Sequence, residues 1–152
     1  MKCIACGDDG LQAASHPESL EVAGHTFTGA IDARSCARCG EVYLDGPAVE
    51  QFELRVAACL AEAGIDSGEA FGFMRRALGM RAVELADLLD VAPETISRWE
   101  RGQRGVDRGA LAVLGGLVTD AVEGRTATAD RLRALKTPDT LPTVVDLRNE
   151  AA

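Results

Sequence analysis

Four of the chain's five cysteines fall in two matching turns, Cys3-Ile4-Ala5-Cys6-Gly7 and Cys36-Ala37-Arg38-Cys39-Gly40. Two residues between cysteines let both thiolates reach one ion while the backbone N–H groups of the turn point at the sulfurs, and the glycine accepts the geometry that such a turn needs. Cys3, Cys6, Cys36 and Cys39 together supply the four sulfur ligands of a closed tetrahedral site, so the expected cofactor is one structural Zn2+ per chain. A redox pair, an iron–sulfur site, or replacement of a thiol by His16 or His25 are the competing readings; both histidines also suit a hairpin or loop. Four thiolates leave no open position on the metal. With no hydrolytic constellation and no phosphate-cradling glycine loop either, no enzymatic activity is expected.

The two turns need a scaffold that brings positions 36–39 back to positions 3–6. Ser19 to Ile31 alternates Leu20 and Val22 with polar residues, breaks at Gly24 and resumes with Phe27 and Ile31, which reads as a β-hairpin, with Leu11 to Ala14 as a candidate third strand. So small a sheet buries little, and the metal is expected to supply much of its folding energy. Asp45-Gly46-Pro47 then starts a helix whose apolar stripe runs Val49, Phe52, Val56, Cys59, Leu60, Ala63 before Gly64 ends it. On that stripe Cys59 is expected to be a buried structural thiol.

A second group of residues with chemistry in them is Pro93-Glu94-Thr95-Ile96-Ser97-Arg98-Trp99-Glu100-Arg101-Gly102. Proline suits the first helical turn and glycine the position just past the end. Ile96 and Trp99, three apart, form an inward seat, leaving hydrogen-bonding side chains outward. Helical periodicity extends around it: Phe71 to Leu78, Arg81 to Leu89, and Arg108 to Glu123, with breaks at Gly79, Asp90-Val91-Ala92 and Gly102 to Gly105. A helix over 81–89, a three-residue turn and a helix over 93–101 have helix-turn-helix spacing, with Ala86 small where the two cross.

The fold class expected is therefore α+β: a small zinc-bound β domain with one helix over 1–64, a linker candidate at Ile65-Asp66-Ser67-Gly68, an all-α helix-turn-helix domain over 68–124, and a C-terminal tail over 125–152. In the tail, Thr128 to Leu135 suits a short helix. The apolar Val144-Val145-Asp146-Leu147 patch leaves a disordered tail, a strand across a dimer and a partner-contacting arm all open.

The formal charge of −8 argues against a generic polyanion binder. Its distribution is uneven: residues 1–67 carry four Lys/Arg against eleven Asp/Glu, whereas residues 75–108 carry seven Arg against six acids. DNA binding must belong to the middle, and the acidic front suggests a basic partner or simple solubility. No apolar run reaches the roughly 20 residues of a membrane span, and the first residues lack a signal-peptide core, so a cytoplasmic protein is expected.

Phe73 to Val118 resembles the lambda-repressor-like, Xre-type helix-turn-helix family, through Ala86 and the Ser97-Arg98-Trp99-Glu100-Arg101-Gly102 ending. The first 63 residues resemble the YgiT-type zinc finger, through the two Cys-x-x-Cys-Gly turns, Gly24-His25-Thr26-Phe27 and Cys39-Gly40-Glu41-Val42-Tyr43-Leu44-Asp45. In that order the two look like the architecture of MqsA-family antitoxins. The resemblance implies a type II antitoxin whose zinc domain holds a toxin, commonly a small ribonuclease, and whose second domain dimerises on a palindromic operator to repress its own operon. The alternative is a stand-alone zinc-containing helix-turn-helix regulator without a toxin partner.

By motif position, Glu94 and Arg98 correspond to the family's base-contacting residues. Arg98 suits the paired acceptors of guanine; Glu94 can only accept, for instance from cytosine N4, or else serves as a helix N-terminal charge. Thr95, Ser97, Arg101 and Arg104 are phosphate-contact candidates, followed by Arg75, Arg76 and Arg81. Ala82 stands where related domains often carry a phosphate-binding glutamine, which shifts that work toward Arg81. Glu100 reads as a structural partner for a nearby arginine. One short helix covers few base pairs, so a homodimer is expected, with Leu111, Val113, Leu114, Leu117 and Val118 of the 108–123 helix carrying the contact.

Overall fold

The computed structural model describes residues 1–147; residues 148–152, the end of the expected tail, lie outside the described residues. The fold is α+β. Strands β1 (Leu11–Val22), β2 (His25–Cys36) and β3 (Val42–Leu44) form an antiparallel sheet in the order β1-β2-β3. Six helices follow: α1 (Gly46–Glu62), α2 (Gly68–Ala77), α3 (Ala82–Leu89), α4 (Pro93–Glu100), α5 (Arg108–Val122) and α6 (Ala127–Lys136).

The hairpin register, Val22 against His25 through Leu11 against Cys36, is set by a two-residue turn with both Ala23 and Gly24 at positive φ, 52° and 76°. That is the type I′ twist that matches paired strands. Leu11 to Ala14 is not a separate third strand but the beginning of β1. The polar Ser15-His16-Pro17-Glu18 stretch hides the continuity in sequence, and β1 tolerates Pro17 because it pairs on one side alone. The third strand is Val42–Leu44, held by Arg34 against Tyr43 and its neighbours.

One apolar cluster connects the sheet to the helices. Val22 and Ile31 of the hairpin meet Phe52, Val56, Ala57 and Leu60 of α1, and the cluster continues through Phe71, Met74, Leu85, Ile96, Trp99, Leu114 and Val118. The core therefore crosses the linker candidate without a break. α1 is its shared wall: β2 lies on it where Gly29 makes room for the Phe52 ring, and α2 and α5 lie on it too.

Packing from several sides explains two departures from expectation. Cys59 is exposed, not buried. At roughly 100° per residue, the buried arc Phe52, Val56, Ala57 and Leu60 is centred between Val56 and Ala57, and Cys59 falls at its margin beside His25 and Phe27. Part of the apolar surplus of α5 is also covered within the chain, while Leu111 and Val113 stay half-buried. Gly115 faces Ala61 of α1, Gly116 faces Thr128 of α6, and Leu114, Leu117 and Val118 are buried.

Asp120 explains how α6 is attached. It is 6% exposed, and its carboxylate accepts the Thr128 N–H at 2.6 Å with Arg125 at 3.4 Å. Thr126, at the cap position, makes no side-chain cap hydrogen bond, so a carboxylate from α5 serves one of the orphan amides of α6. The Thr128 amide, then its hydroxyl, then the Arg125 charge hold the Asp120 carboxyl below its ordinary value despite burial. A depressed carboxylate pKa stabilises above the unfolded value, near 3.9, and the contribution fades as pH falls through the lower folded value. Urea midpoints measured from pH 7 down to about pH 3 should therefore fall more steeply in wild type than in Asp120→Asn; parallel curves would remove Asp120 from the acid response.

Candidate metal centre and nucleic-acid interface

The two cysteine turns fold alike. In the first, Cys3 N–H donates to the Asp8 carbonyl and Gly7 N–H to the Cys3 carbonyl, both at 2.8 Å; in the second, Cys36 N–H donates to Glu41 and Gly40 N–H to Cys36, both at 2.9 Å. Gly7 and Gly40 take matching φ values of 75° and 77°. The hairpin supplies the return path, because its register sets Cys36 opposite Leu11, and Ala37 N–H closes the gap by donating to the Gly10 carbonyl at 3.0 Å.

All four sulfurs lie within 4.8 Å of one another. Cys3 Sγ to Cys39 Sγ and Cys6 Sγ to Cys36 Sγ are each 3.6 Å. That is far too long for a disulfide, near 2.05 Å, and close to the edge of about 3.8 Å that a tetrahedron with Zn–S bonds near 2.3 Å requires. The pairs run between the turns, so each edge crosses from one knuckle to the other. Among the described residues this is the one such cluster, and neither His16 nor His25 joins it.

Three of the thiols, Cys3, Cys6 and Cys39, are shifted by their surroundings, in opposite directions. A hydrogen bond from Tyr43 outweighs burial and, with smaller help from the neighbouring amide and thiols, lowers Cys3 to about 6. At Cys6 the Asp8 amide pulls downward, but burial and the crowding of Cys3, Cys39 and Cys36 outweigh it and push the thiol up to about 12. Cys39 is raised as well: the Glu41 amide lowers it, less than burial and Cys3 raise it.

The helix-turn-helix is assembled from α3 and α4. The N-terminus of α3 is fastened by Glu84, whose carboxylate accepts the Arg81 N–H at 2.7 Å and meets the Arg81 guanidinium at 3.2 Å. The turn passes through Asp90 in the left-handed conformation, and Val91 N–H donates back to the Ala86 carbonyl at 3.0 Å. Pro93 opens α4, and Ile96 and Trp99 are its buried pair, with Trp99 edge-on to Phe71 at 5.5 Å between ring centroids.

At the far end of α4, Glu100 is gripped by Arg75 through two parallel hydrogen bonds of 2.5 and 3.1 Å, and the same guanidinium donates to the Met80 carbonyl at 2.7 Å. Glu100 is the structural partner expected of it. Arg75, placed among the phosphate-contact candidates, is instead consumed by this clamp, with its side chain 12% exposed. Arg76 is exposed.

Of the residues assigned to DNA, Glu94, Arg98, Arg101, Arg104 and Arg81 are exposed, and Thr95 and Ser97 are half-buried. Glu94, Arg98 and Arg101 stand four and three apart and share one stripe of α4 and its last turn. Arg101 Nε donates to the Ser97 carbonyl at 3.2 Å, holding its side chain along that stripe. Three residues have structural roles that spacing does not assign: Tyr43 reaches the cysteine cluster, Asp120 fastens α6, and α4 rests on Gly68. Each acts on partners outside its own element, so local periodicity carries no trace of it.

Residues 73–112 match the helix-turn-helix family. No curated protein matches the chain. The matched segment runs from the end of α2 into α5 and contains the whole stripe on α4. A DNA-binding regulator carrying a four-cysteine cluster at its N-terminus is thereby supported.

Gly68 tests the seating of α4. A methyl there would collide with the Trp99 carbonyl and approach the Glu100 carbonyl, both backbone atoms with no room to move aside, whereas a methyl at Gly115 would meet Ala61 at an ordinary 3.6 Å. Gly68→Ala should lower the unfolding free energy by about 3 kcal/mol. Gly115→Ala should be neutral or stabilising by up to about 1 kcal/mol. Chemical denaturation giving the same value for both would contradict the close approach.

Proposed function

We propose that the chain is an antitoxin-type repressor: a zinc-stabilised N-terminal domain that captures a basic toxin, joined to a helix-turn-helix domain that binds a palindromic operator as a homodimer. The observation that carries the DNA half is the exposed Glu94, Arg98 and Arg101 stripe on a helix fixed at both ends, inside the segment that matches the helix-turn-helix family. In this reading Arg98 offers its guanidinium fork to the O6 and N7 of a guanine. Glu94 accepts from a cytosine amino group, and Thr95, Ser97, Arg101, Arg104 and Arg81 hold phosphates. An eight-residue helix spans one half-site, so two copies read two half-sites.

The toxin half rests on the acidic excess of residues 1–67 and on the order of the two units along the chain. The zinc half rests on the sulfur geometry: Cys3, Cys6, Cys36 and Cys39 hold the ion, and its charge keeps the four thiolates together. Copurification of a small basic protein encoded beside this chain tests the antitoxin reading. Its consistent absence favours the stand-alone regulator.

Operator titrations test the readers. Arg98→Ala should lose about 1–3 kcal/mol of specific binding and relax one base position, while Arg101→Ala should weaken all sequences alike and flatten the salt dependence by about one unit of slope. Unchanged operator affinity in Arg98→Ala would remove it from the reading face. Elemental analysis should find one zinc per chain, lost on replacing Cys36 and Cys39 by serine; iron, or no metal, would overturn the zinc assignment.

A further inference from the structure

We propose that Tyr43 is a positioning residue of the metal centre, its hydroxyl donating to the Cys3 sulfur while gathering two amides of the first cysteine turn. This inference rests on the reading of the cluster as a zinc site. The phenolic oxygen lies 3.2 Å from Cys3 Sγ, 2.9 Å from the Ile4 nitrogen and 3.4 Å from the Ala5 nitrogen. A phenol has one proton and two acceptor sites. Ile4 and Ala5 are both N–H donors, so they take the acceptor sites, and the proton is left for the sulfur.

The two cysteine turns are thus supported differently. The second is continuous with β2, since Cys36 is the last residue of that strand, and its Ala37 N–H goes to the Gly10 carbonyl. The first precedes every strand of the sheet, and the phenol brings it to β3, where Arg34 pairs with Tyr43. In the first turn the amides of Ile4 and Ala5 converge on an oxygen rather than on sulfur, and that oxygen passes the interaction on to Cys3. Removing it leaves two N–H groups and one thiolate to find new partners. Hydrogen-bonding partners behind a metal ligand commonly set affinity and exchange at the level of 10–100-fold.

The chain's single tyrosine makes the test specific. Zinc transfer from the full-length protein to a chromogenic chelator should be about 10–100-fold faster in Tyr43→Phe than in wild type, with the far-UV spectrum unchanged. In cobalt-loaded protein the sulfur-to-metal charge-transfer band should move to lower energy in Tyr43→Phe, because a thiolate without its hydrogen bond gives up electron density more readily. Uniform 3-fluorotyrosine labelling, which keeps the hydroxyl and makes it a stronger donor, should move the band the other way in a chain with every native contact retained. Equal transfer rates, or a band that ignores both changes, would overturn the role of Tyr43 while leaving the zinc site standing. Wild-type protein that takes up neither zinc nor cobalt would overturn the zinc reading, and this inference with it.

Discussion

The chemistry of the helical half depends on how an eight-residue helix is held. α4 is too short to be stable by itself, since two turns leave most of its amides and carbonyls near an end and nucleation is costly. Its geometry is imposed from outside: Ile96 and Trp99 fix its rotation, the Phe71 ring fixes its depth, and the Arg75 clamp on Glu100 fixes its end. Because Arg75 also holds the Met80 carbonyl, the loop leading into α3 and the last turn of α4 are set by one guanidinium. A face of exposed polar residues can then be presented without contributing to its own support.

The metal half solves a similar problem differently. A three-stranded sheet with Val22, Ile31 and Ala33 buried has little apolar surface of its own. It gains stability at two ends, from the sulfur cluster at one and from α1 at the other, where the hairpin joins the common core. Four sulfurs within 4.8 Å of one another form an arrangement consistent with a structural zinc site at that end of the sheet.

The sequence made some of this legible and hid the rest for identifiable reasons. Cysteine turns with trailing glycines carry their chemistry in the spacing, so the cluster was readable residue by residue. The Pro93 to Gly102 helix and its partner were readable because proline, glycine and the buried pair are local signals. Periodicity reports that a face is apolar but not what covers it, which is why the stripe of α1 includes Cys59 although the structure leaves that thiol exposed. Ser15 to Glu18 are polar on both faces of β1, so its continuation through Pro17 carries no apolar alternation in the sequence. Tyr43 and Asp120 act on atoms 40 and eight residues away, respectively, and only the fold brings those partners together.

The 17-residue α1 gives the molecule the mechanics of a strut rather than a tether. It begins two residues after β3 and ends inside the wall shared with α2 and α5. A tethered domain would sweep a volume around the helix-turn-helix, averaging away any orientation. A strut instead gives the sheet one bearing relative to α4, so the four-cysteine cluster and the helix-turn-helix keep a fixed spacing.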